Sequence, residues 1–406
     1  MITELLRPPS TQDRGVLSEL FAPLGPERFF AEYWDVAPLR LSPGPDTARR
    51  QWLDVPSVVD IVTTAGVSAM DVRMARDGTQ LEVDAYSSRA YHHDWSSTAI
   101  LDPDRMLSLY DQGATILLES LDRYHLPTAR RARAIEQCFG CTLKSNAFLT
   151  PAQCNAFPLH NDTYDGLIVQ LRGTKHWDLY ENETALPLRD QRFEPGRDQP
   201  GALLMSVDLE PGDLLYVPRG VIHRAEAIGE DSLHLTMIPV WPTWGELLDA
   251  QLRHAAHHDV QFRHGYRDDA FDEATLTNLL ARLCGEDALA GGLGRLRDEL
   301  VTTRRPLAAD RWQDLHDRES VGPESTVRAR EGVMVSLRRT GPDEVRIAWN
   351  TQRLSFSACL ESALRRVLGG AAVRVSTLAE SADQPAPVDA VRQLMSAGLL
   401  SLEPTS

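Results

Sequence analysis

The sequence PGDLLYVPRGVIH, residues 211–223, holds a short apolar run between two turn signals. Pro-Gly-Asp precedes the run, and Pro-x-Gly follows it. A run of this kind, bracketed by Pro and Gly, is typical of a buried β-strand. We therefore predict a strand at 214–217, which brings His223, just beyond the run, into the fold.

A histidine and an aspartate lie two residues apart earlier in the chain, at His160-Asn-Asp162. Residues i and i+2 of a strand point to the same side, so this pair can hold one ion from one strand. A single His-x-Asp is more often a surface loop, and the interpretation depends on His223 as a third ligand. Two imidazoles and one carboxylate bind Fe(II) in non-haem oxygenases and leave coordination positions open. We predict an Fe(II) site formed by these three residues.

Lysine is almost absent: of 42 Lys plus Arg, only Lys144 and Lys175 are lysine. Lys175 follows the apolar run 167–171, which we predict to turn at Gly173, with the next strand starting at 177–180. A compact ammonium beside the metal strand could bind the far carboxylate of a 2-oxoacid, which differs from the planar fork of Arg. The alternative is that Lys175 has no role and is a remnant of codon bias.

From Gly113 onward, short apolar runs alternate with clusters of turn residues. This pattern predicts an all-β core closed as a jelly roll, the double-stranded β-helix of cupins, whose interior can keep a metal site dry. Asn146, Thr150 and His234 lie on strands expected to line this barrel. They could orient ligands or co-substrate, although buried structural hydrogen bonding is an equal alternative for each. With its flanking helices, the chain is predicted to be α+β.

Residues from about 113 to 245 resemble the JmjC-type 2-oxoglutarate oxygenases, specifically the cupin-like ribosomal oxygenase branch. The resemblance is carried by five segments: SNAFLTP (145–151), HND (160–162), QLRGTKHWDLY (170–180), PGDLLYVPRGVIH (211–223) and SLHLT (232–236).

The resemblance implies that His160, Asp162 and His223 bind Fe(II) and that Lys175 anchors the C5 carboxylate of 2-oxoglutarate. Phe148 differs from a tyrosine that helps some relatives to bind 2-oxoglutarate, and this hardly affects the expected activity. Residues 237–240, Met-Ile-Pro-Val, replace small hydroxyl residues that touch substrate in some relatives. This second difference leaves the substrate open.

The expected reaction is hydroxylation of a protein side chain, and a ribosomal protein is the preferred substrate. The formal net charge of −16 favours basic partners at low salt, although acidity also serves solubility alone. Two alternatives stay open. One is the same chemistry on another peptide, such as a ribosomally synthesised natural-product precursor. The other is a non-catalytic, cupin-like interaction protein, which the intact ligand set disfavours.

The sequence predicts a cytoplasmic protein without a membrane span. No run of 18 apolar residues exists, and the N-terminus lacks the layout of a signal peptide. Five cysteines form no disulfide framework, and the odd count fits a reducing compartment. Cys138-Phe-Gly-Cys141 has no second pair to complete a zinc site, so we interpret it as the end of a helix entering a strand.

Three domains are predicted: a JmjC/cupin catalytic domain with an N-terminal extension at 1–245, a helical domain at 246–320 and a winged-helix-like domain at 321–406. Two leucine stripes at helical spacing lie in the second, at 276–283 and 289–300. Such apolar surface normally packs on a partner, and in the resembled family this region forms a homodimer. We predict a homodimer; packing within the same chain is the alternative.

Residues 321–406 show two predicted strands, 333–337 and 345–349, and a helical stripe at 356–368 that ends at Gly369-Gly370. Helices with a small β-wing resemble a winged helix, a common DNA-binding fold. However, the region has ten Arg, no Lys and nine Asp plus Glu, a net charge of +1. Because a DNA reader normally has a strongly basic face, we expect a packing or protein-interaction role and no nucleic-acid partner.

Overall fold

The computed structural model describes residues 5–6, 11–44, 47–91, 97–194, 197–270, 272–308, 311–379 and 387–403. The chain divides into two compact units. The barrel unit comprises Thr11–Phe139 and Leu143–Val240, and the C-terminal unit comprises Trp241–Ser406 with the short pieces Met1–Ser10 and Gly140–Thr142, as far as these are described.

The strands, in chain order, are β1 Leu5–Leu6, β2 Leu39–Leu41, β3 Val72–Arg76, β4 Thr79–Gln80, β5 Ser87–Tyr91, β6 Ser97–Leu101, β7 Thr115–Leu118, β8 Thr142–Thr150, β9 His160–Asn161, β10 Gly166–Tyr180, β11 Leu203–Leu209, β12 Leu214–Val217, β13 Ile222–Val240, β14 Thr326–Ala329, β15 Val335–Arg339, β16 Glu344–Trp349, β17 Gln352–Ser357, β18 Val373–Arg374 and β19 Leu400–Leu402.

The α-helices are α1 Thr11–Leu20, α2 Pro26–Glu32, α3 Val55–Thr64, α4 Pro103–Asp111, α5 Leu126–Phe139, α6 Trp244–His258, α7 Glu273–Leu283, α8 Glu286–Thr303, α9 Arg311–Asp317, α10 Glu361–Leu368 and α11 Val388–Ser396. Within the described ranges, no helix combines the length and the apolar character that crossing a membrane requires.

The barrel unit is built on one large sheet with the strand order β2-β12-β10-β13-β8-β7-β3-β4; β11 also pairs with β10, and β9 with β13. Its strand pairs with a described register are antiparallel. The strand predicted at 214–217 is confirmed as β12, buried at all four positions. The long strands β10 and β13 pair along most of their length, from Leu167 opposite Met237 to Tyr180 opposite Ile222.

The predicted turn at Gly173 is wrong, because β10 runs through this residue without a break. The register with β13 shifts on both sides of Arg172, and Gly173 has a φ of +64°. A Cβ at Gly173 would lie 2.3 Å from the carbonyl oxygen of Asp231. Only glycine accepts this close approach, so the residue forms a bulge inside one strand rather than a turn between two.

A buried polar network fixes the start of β8, the strand that carries Asn146 and Thr150. The Glu136 carboxylate on α5 accepts the N–H of Leu143 at 2.8 Å. Asp122 accepts the N–H of Ser145 at 3.3 Å. Arg133 lies 3.1 Å from Glu136 and 3.5 Å from Asp122, so the buried carboxylates share one counter-charge. Helix α5 ends at Phe139 and β8 begins at Thr142, as predicted for the segment around Cys138 and Cys141.

The C-terminal unit joins a helical part to two small antiparallel sheets. Helix α6 starts with a capping box formed by Thr243 and Glu246. It packs closely against α8 at Gly292, where a Cβ would lie 2.6 Å from the Cα of Gln251. The sheets have the orders β1-β15-β16-β17 and β18-β14-β19. The division of this unit at residue 320 stays a prediction.

The two strands predicted near 335 and 345 are present as β15 and β16, but β17 was not predicted. The helix expected from Phe356 starts only at Glu361. Phe356 is buried at the end of β17, between exposed neighbours on either side. Its apolar side chain therefore fits the helical stripe by spacing although it belongs to a strand.

Candidate active site

The structure brings His160, Asp162 and His223 together, as the sequence predicts. One ligand atom from each lies within 4.8 Å of the others, and no other group of three His, Cys, Asp or Glu in the described ranges meets this geometry. His160 on β9 lies directly opposite His223 on β13. The two imidazole centroids are 4.5 Å apart, and His223 Nε2 is 3.8 Å from Asp162 Oδ2. Strand β9 ends at Asn161, so the aspartate extends from the loop just after it.

Both imidazoles are oriented by backbone carbonyls. His160 Nδ1 lies 2.8 Å from the carbonyl oxygen of Pro158, and His223 Nδ1 lies 3.0 Å from that of Val221. Each Nδ1–H therefore donates to a carbonyl and leaves Nε2 as the free donor atom, a common orientation for metal-binding histidines. Burial, assisted by His160, lowers the pKa of His223 to about 4. The neutral imidazole that a divalent ion requires is thus the resting form, and the donor set fits Fe(II).

Lys175 is buried in the barrel, with 2% of its surface exposed. Its Nζ donates to Thr150 Oγ1 at 3.1 Å and lies 3.5 Å from His234 Nδ1. Thr115 Oγ1 donates to the same threonine oxygen at 3.2 Å. Burial alone lowers the pKa of Lys175 to about 7, because none of the described carboxylates lies close enough to offset it. A buried ammonium without a counter-ion is costly, so this end of the barrel is suited to an incoming anion.

His234 and Phe148 form a flat wall beside Lys175. Their rings stack with centroids 4.5 Å apart and an interplanar angle of 13°. The pKa of His234 lies well below its ordinary value, mainly because the ring is buried and secondly because Lys175 is close. His234 is therefore a neutral polar group. Thr150 and His234 thus lie on the strands β8 and β13, as predicted, and both are within 3.5 Å of the lysine Nζ. Their role in co-substrate binding stays a prediction.

Asn146 lies on the same face of β8 as Phe148 and Thr150, at alternate positions. Its Oδ1 accepts the N–H of Ser120 at 3.1 Å. Ser120 has a left-handed φ of 52° at the end of β7, so this hydrogen bond supports a strained turn. A role for Asn146 in co-substrate binding stays a prediction beside this structural one.

Sequence reasoning missed several residues around the three-residue cluster. Burial and then the carboxylate of Asp162 raise the pKa of the Tyr164 hydroxyl. Arg73 forms an ion pair with Glu119, and its guanidinium lies 5.6 Å from the ring centroid of Phe157. Arg73 and Glu119 also influence Tyr164 electrostatically. These four residues form a charged and aromatic group beside His160 and Asp162, which we call the rim. Tyr164 lies two residues beyond Asp162, and this spacing could have identified it. No sequence signal pointed to the other three residues.

Trp177 connects the two halves of the site and was also missed. Its ring centroid lies 5.8 Å from those of both His223 and His234. It is two residues from Lys175 on β10, so strand alternation places both side chains on the inner face. This alternation was a usable signal that the predicted turn at Gly173 obscured.

Residues 121–247 match the family model for the JmjC domain, which confirms the resemblance seen in the sequence. The chain is 30% identical over 268 residues to ribosomal oxygenase 1 of Gallus gallus, covering 64% of this chain and 43% of the relative. It is 29% identical over 309 residues to ribosomal oxygenase 2 of Mus musculus, covering 73% of this chain and 62% of the relative. The bifunctional lysine-specific demethylase and histidyl-hydroxylase NO66 of Culex quinquefasciatus is 28% identical, covering 60% and 37%. The chain thus spans from 37% to 62% of the length of these relatives.

The fold is similar to that of the Escherichia coli ribosomal oxygenase YcfD, with a TM-score of 0.56, 15% identity, and coverage of 99% of this chain and 100% of the other. A structure of YcfD in complex with cobalt and 2-oxoglutarate has a TM-score of 0.52 and 16% identity, and the match covers 93% of this chain and 98% of the other. At this identity the likeness concerns the fold, and it supports the cupin-like core predicted from the sequence.

Proposed function

We propose that this protein is an Fe(II)- and 2-oxoglutarate-dependent oxygenase that hydroxylates a side chain of a protein. One observation carries the proposal. The barrel holds a cluster of two histidines and an aspartate, and a buried lysine to which no described carboxylate serves as counter-ion lies on the neighbouring strand. The His/Asp cluster fits a divalent metal, and the lysine fits a carboxylate. An oxygenase that uses 2-oxoglutarate requires both.

When bound, Fe(II) and 2-oxoglutarate supply an oxidative decarboxylation with O2, which yields succinate and CO2 and places one oxygen atom in a substrate C–H bond. The side chains of this protein bind and orient Fe(II) and 2-oxoglutarate, and they exclude water from the site. His160, Asp162 and His223 hold the metal. Lys175 and Thr150 bind the remote carboxylate, and the stacked pair Phe148 and His234 encloses the carbon chain. The buried strands around them keep the site dry.

The substrate proposed is a basic segment of a ribosomal protein. The relatives named ribosomal oxygenase support this class, and the net charge of −16 favours basic partners. The co-substrate would occupy the side of the metal that faces Lys175, so the substrate approaches past the rim of Tyr164, Arg73, Glu119 and Phe157. This rim offers both charges and aromatic surface to a polypeptide.

The test is succinate release by the purified protein with Fe(II) and 2-oxoglutarate, with and without peptides from basic ribosomal proteins. We expect stimulation by at least one peptide, together with a mass gain of one oxygen atom on it. In parallel, intact masses of ribosomal proteins are compared between cells with and without the gene. Unchanged ribosomal masses, with hydroxylation of another peptide, would move the substrate elsewhere and keep the chemistry. No succinate under any condition would contradict the oxygenase.

We also propose that α6 to α8 form a homodimer interface. Large apolar side chains on these helices are exposed in the single chain: Trp244, Leu248, Leu252, Leu276, Leu280 and Leu289. If these side chains form one patch, a partner normally covers it, and a two-fold dimer is the commonest arrangement.

For residues 321–406 we propose a winged-helix-like domain with a packing or protein-interaction role. It combines α10 and α11 with short antiparallel strands, and its helices bury one apolar face, including Leu364, Val367, Leu394 and Met395. Its charge, close to neutral, supports a role other than DNA binding.

A further inference from the structure

A buried aspartate joins two loops that adjoin the metal-binding residues. The first loop, 162–165, follows β9, and the second, 218–221, leads from β12 into β13. Asp165 is 5% exposed. Its Oδ1 accepts the hydroxyl of Tyr216 at 2.7 Å and the N–H of Arg219 at 3.4 Å. One carboxylate oxygen on the first loop therefore binds both the strand before the second loop and the loop itself.

The second loop contacts two of the metal-binding residues. The N–H of Gly220 donates to the carbonyl oxygen of Asp162 at 2.7 Å. The carbonyl oxygen of Val221 accepts Nδ1–H of His223 at 3.0 Å. Any displacement of loop 218–221 relative to loop 162–165 thus changes both the aspartate backbone and the orientation of the imidazole.

The hydroxyl of Tyr216 is constrained from its other side as well. It accepts the N–H of Asp35 at 3.1 Å while it donates to Asp165. Asp35 also lies 3.7 Å from the guanidinium of Arg219. The Tyr216 side chain is fully buried and packs edge-on against Phe29, with centroids 4.9 Å apart. The N-terminal segment before β2 therefore supports the same junction.

We propose that Asp165 is a positioning residue for the metal site: its carboxylate oxygen holds loop 218–221 against loop 162–165 and so fixes the geometry of Asp162 and His223. Asp165 is not a metal ligand, because it lies outside the three-residue cluster. Burial raises the pKa of Asp165 to about 6, so the fold retains an acid here at a desolvation cost. The inference rests on the proposed function only for the presence of a metal.

The experiment measures Co(II) affinity and the visible Co(II) spectrum of the folded protein, together with Tm. The variants are Asp165→Ala, Asp165→Asn and, as a matched control, Asp213→Ala. Asp213 is as deeply buried and also accepts a backbone N–H, but at the opposite end of β12, away from both loops. Cobalt binding needs no substrate and no turnover, so it separates positioning from activity.

We expect Asp165→Ala to weaken Co(II) binding by about tenfold to a hundredfold, the usual effect of removing a partner that orients ligands, and to alter the spectrum. Asp165→Asn should stay close to wild type, because its amide oxygen accepts the same two hydrogen bonds. Asp213→Ala should lower Tm and keep the Co(II) affinity. Wild-type affinity and spectrum in folded Asp165→Ala would overturn the proposal, and so would an Asp165→Asn variant as weak as the alanine.

If Asp165→Ala does not fold, Tyr216→Phe serves in its place, because it removes the hydroxyl that donates to Asp165 and accepts the N–H of Asp35. Weakened Co(II) binding by that variant supports positioning, and unchanged binding overturns it. Failure of the wild-type protein to bind Co(II) would instead contradict the metal site of the proposed function.

Discussion

Lys175 Nζ donates to Thr150 Oγ1 across a distance of 3.1 Å, and this hydroxyl is the neutral partner of a lysine buried without a described counter-ion. The contact satisfies one of the three donors of the ammonium. A second donor faces Nδ1 of His234 at 3.5 Å, and a bound carboxylate would accept from the third and supply a counter-charge.

Replacement of Lys175 by Ala should weaken 2-oxoglutarate binding much more than Fe(II) binding. A hydrogen bond to a charged group contributes about 1.5–3 kcal/mol, which corresponds to roughly tenfold to somewhat over a hundredfold in affinity. Titration of 2-oxoglutarate into the metal-loaded protein measures this. Lys144→Ala is the matched control, since Lys144 is the other lysine of the chain and is exposed. Unchanged affinity in Lys175→Ala would assign the anchor to another residue.

The affinity for 2-oxoglutarate should fall as the pH rises above about 7. Burial holds the pKa of free Lys175 at about 7, and a bound carboxylate raises it because the ion pair favours the ammonium. Binding therefore takes up a proton above the free pKa, and affinity declines by up to about tenfold per pH unit until the bound pKa is reached. Below the free pKa this contribution is constant.

Dissociation constants measured between about pH 6 and pH 9 test this, a range that spans the lowered pKa. Lys175→Arg is the informative comparison, because arginine stays protonated throughout. Its affinity should lack the decline that the lysine causes. An identical pH profile in both proteins would show that Lys175 does not titrate in this range.

His160→Ala and Asp162→Ala should each abolish metal-dependent succinate formation and leave the fold intact. Both residues are only partly buried and lie in or just after a two-residue strand, so their removal costs little packing. Circular dichroism and Tm check the fold, and a coupled succinate assay checks turnover. His257→Ala, an exposed histidine on α6, serves as a control. Turnover retained by either ligand variant would refute the ligand set.

The purified protein should be a dimer, with twice the chain mass of 45.2 kDa in light scattering at micromolar concentration. Leu280→Glu should shift it toward the monomer, because the leucine is 54% exposed in the single chain and a charge at a covered apolar surface is strongly unfavourable. Leu188→Glu, on an exposed loop of the barrel unit, provides the control. A wild-type mass of 45.2 kDa contradicts the interface.

The metal cluster could be predicted because its signals are short in sequence. Strand β12 is marked by Pro and Gly on both sides, and His160 and Asp162 are only two residues apart. Lys175 was identified by its rarity and its position. The strand and the His-x-Asp pair depend on local backbone geometry, which neighbouring residues largely determine, whereas Lys175 was found from composition and from the family resemblance.

The bulge at Gly173 and the junction at Asp165 could not be predicted in this way. A glycine within an apolar pattern is compatible with a turn or a bulge, and the approach of Asp231 from β13 decides between them. Asp165 gains its role from Tyr216 and Arg219, which only the tertiary fold brings near. The ion pair between Arg73 and Glu119 depends on the neighbouring strands β3 and β7 in the same manner.

The residues of the candidate site and the charged residues of the rim lie on or next to different strands of this barrel. Strands β10 and β13 carry Lys175, Trp177, His223 and His234, whereas Arg73 and Glu119 at the rim come from or just after β3 and β7. For the proposed oxygenase, mutations in β3 or β7 would therefore alter which polypeptide is accepted while β10 and β13 stay unchanged. A barrel organised in this way would allow the proposed oxygenase to acquire new targets in evolution one rim position at a time, with the residues that hold metal and co-substrate unchanged.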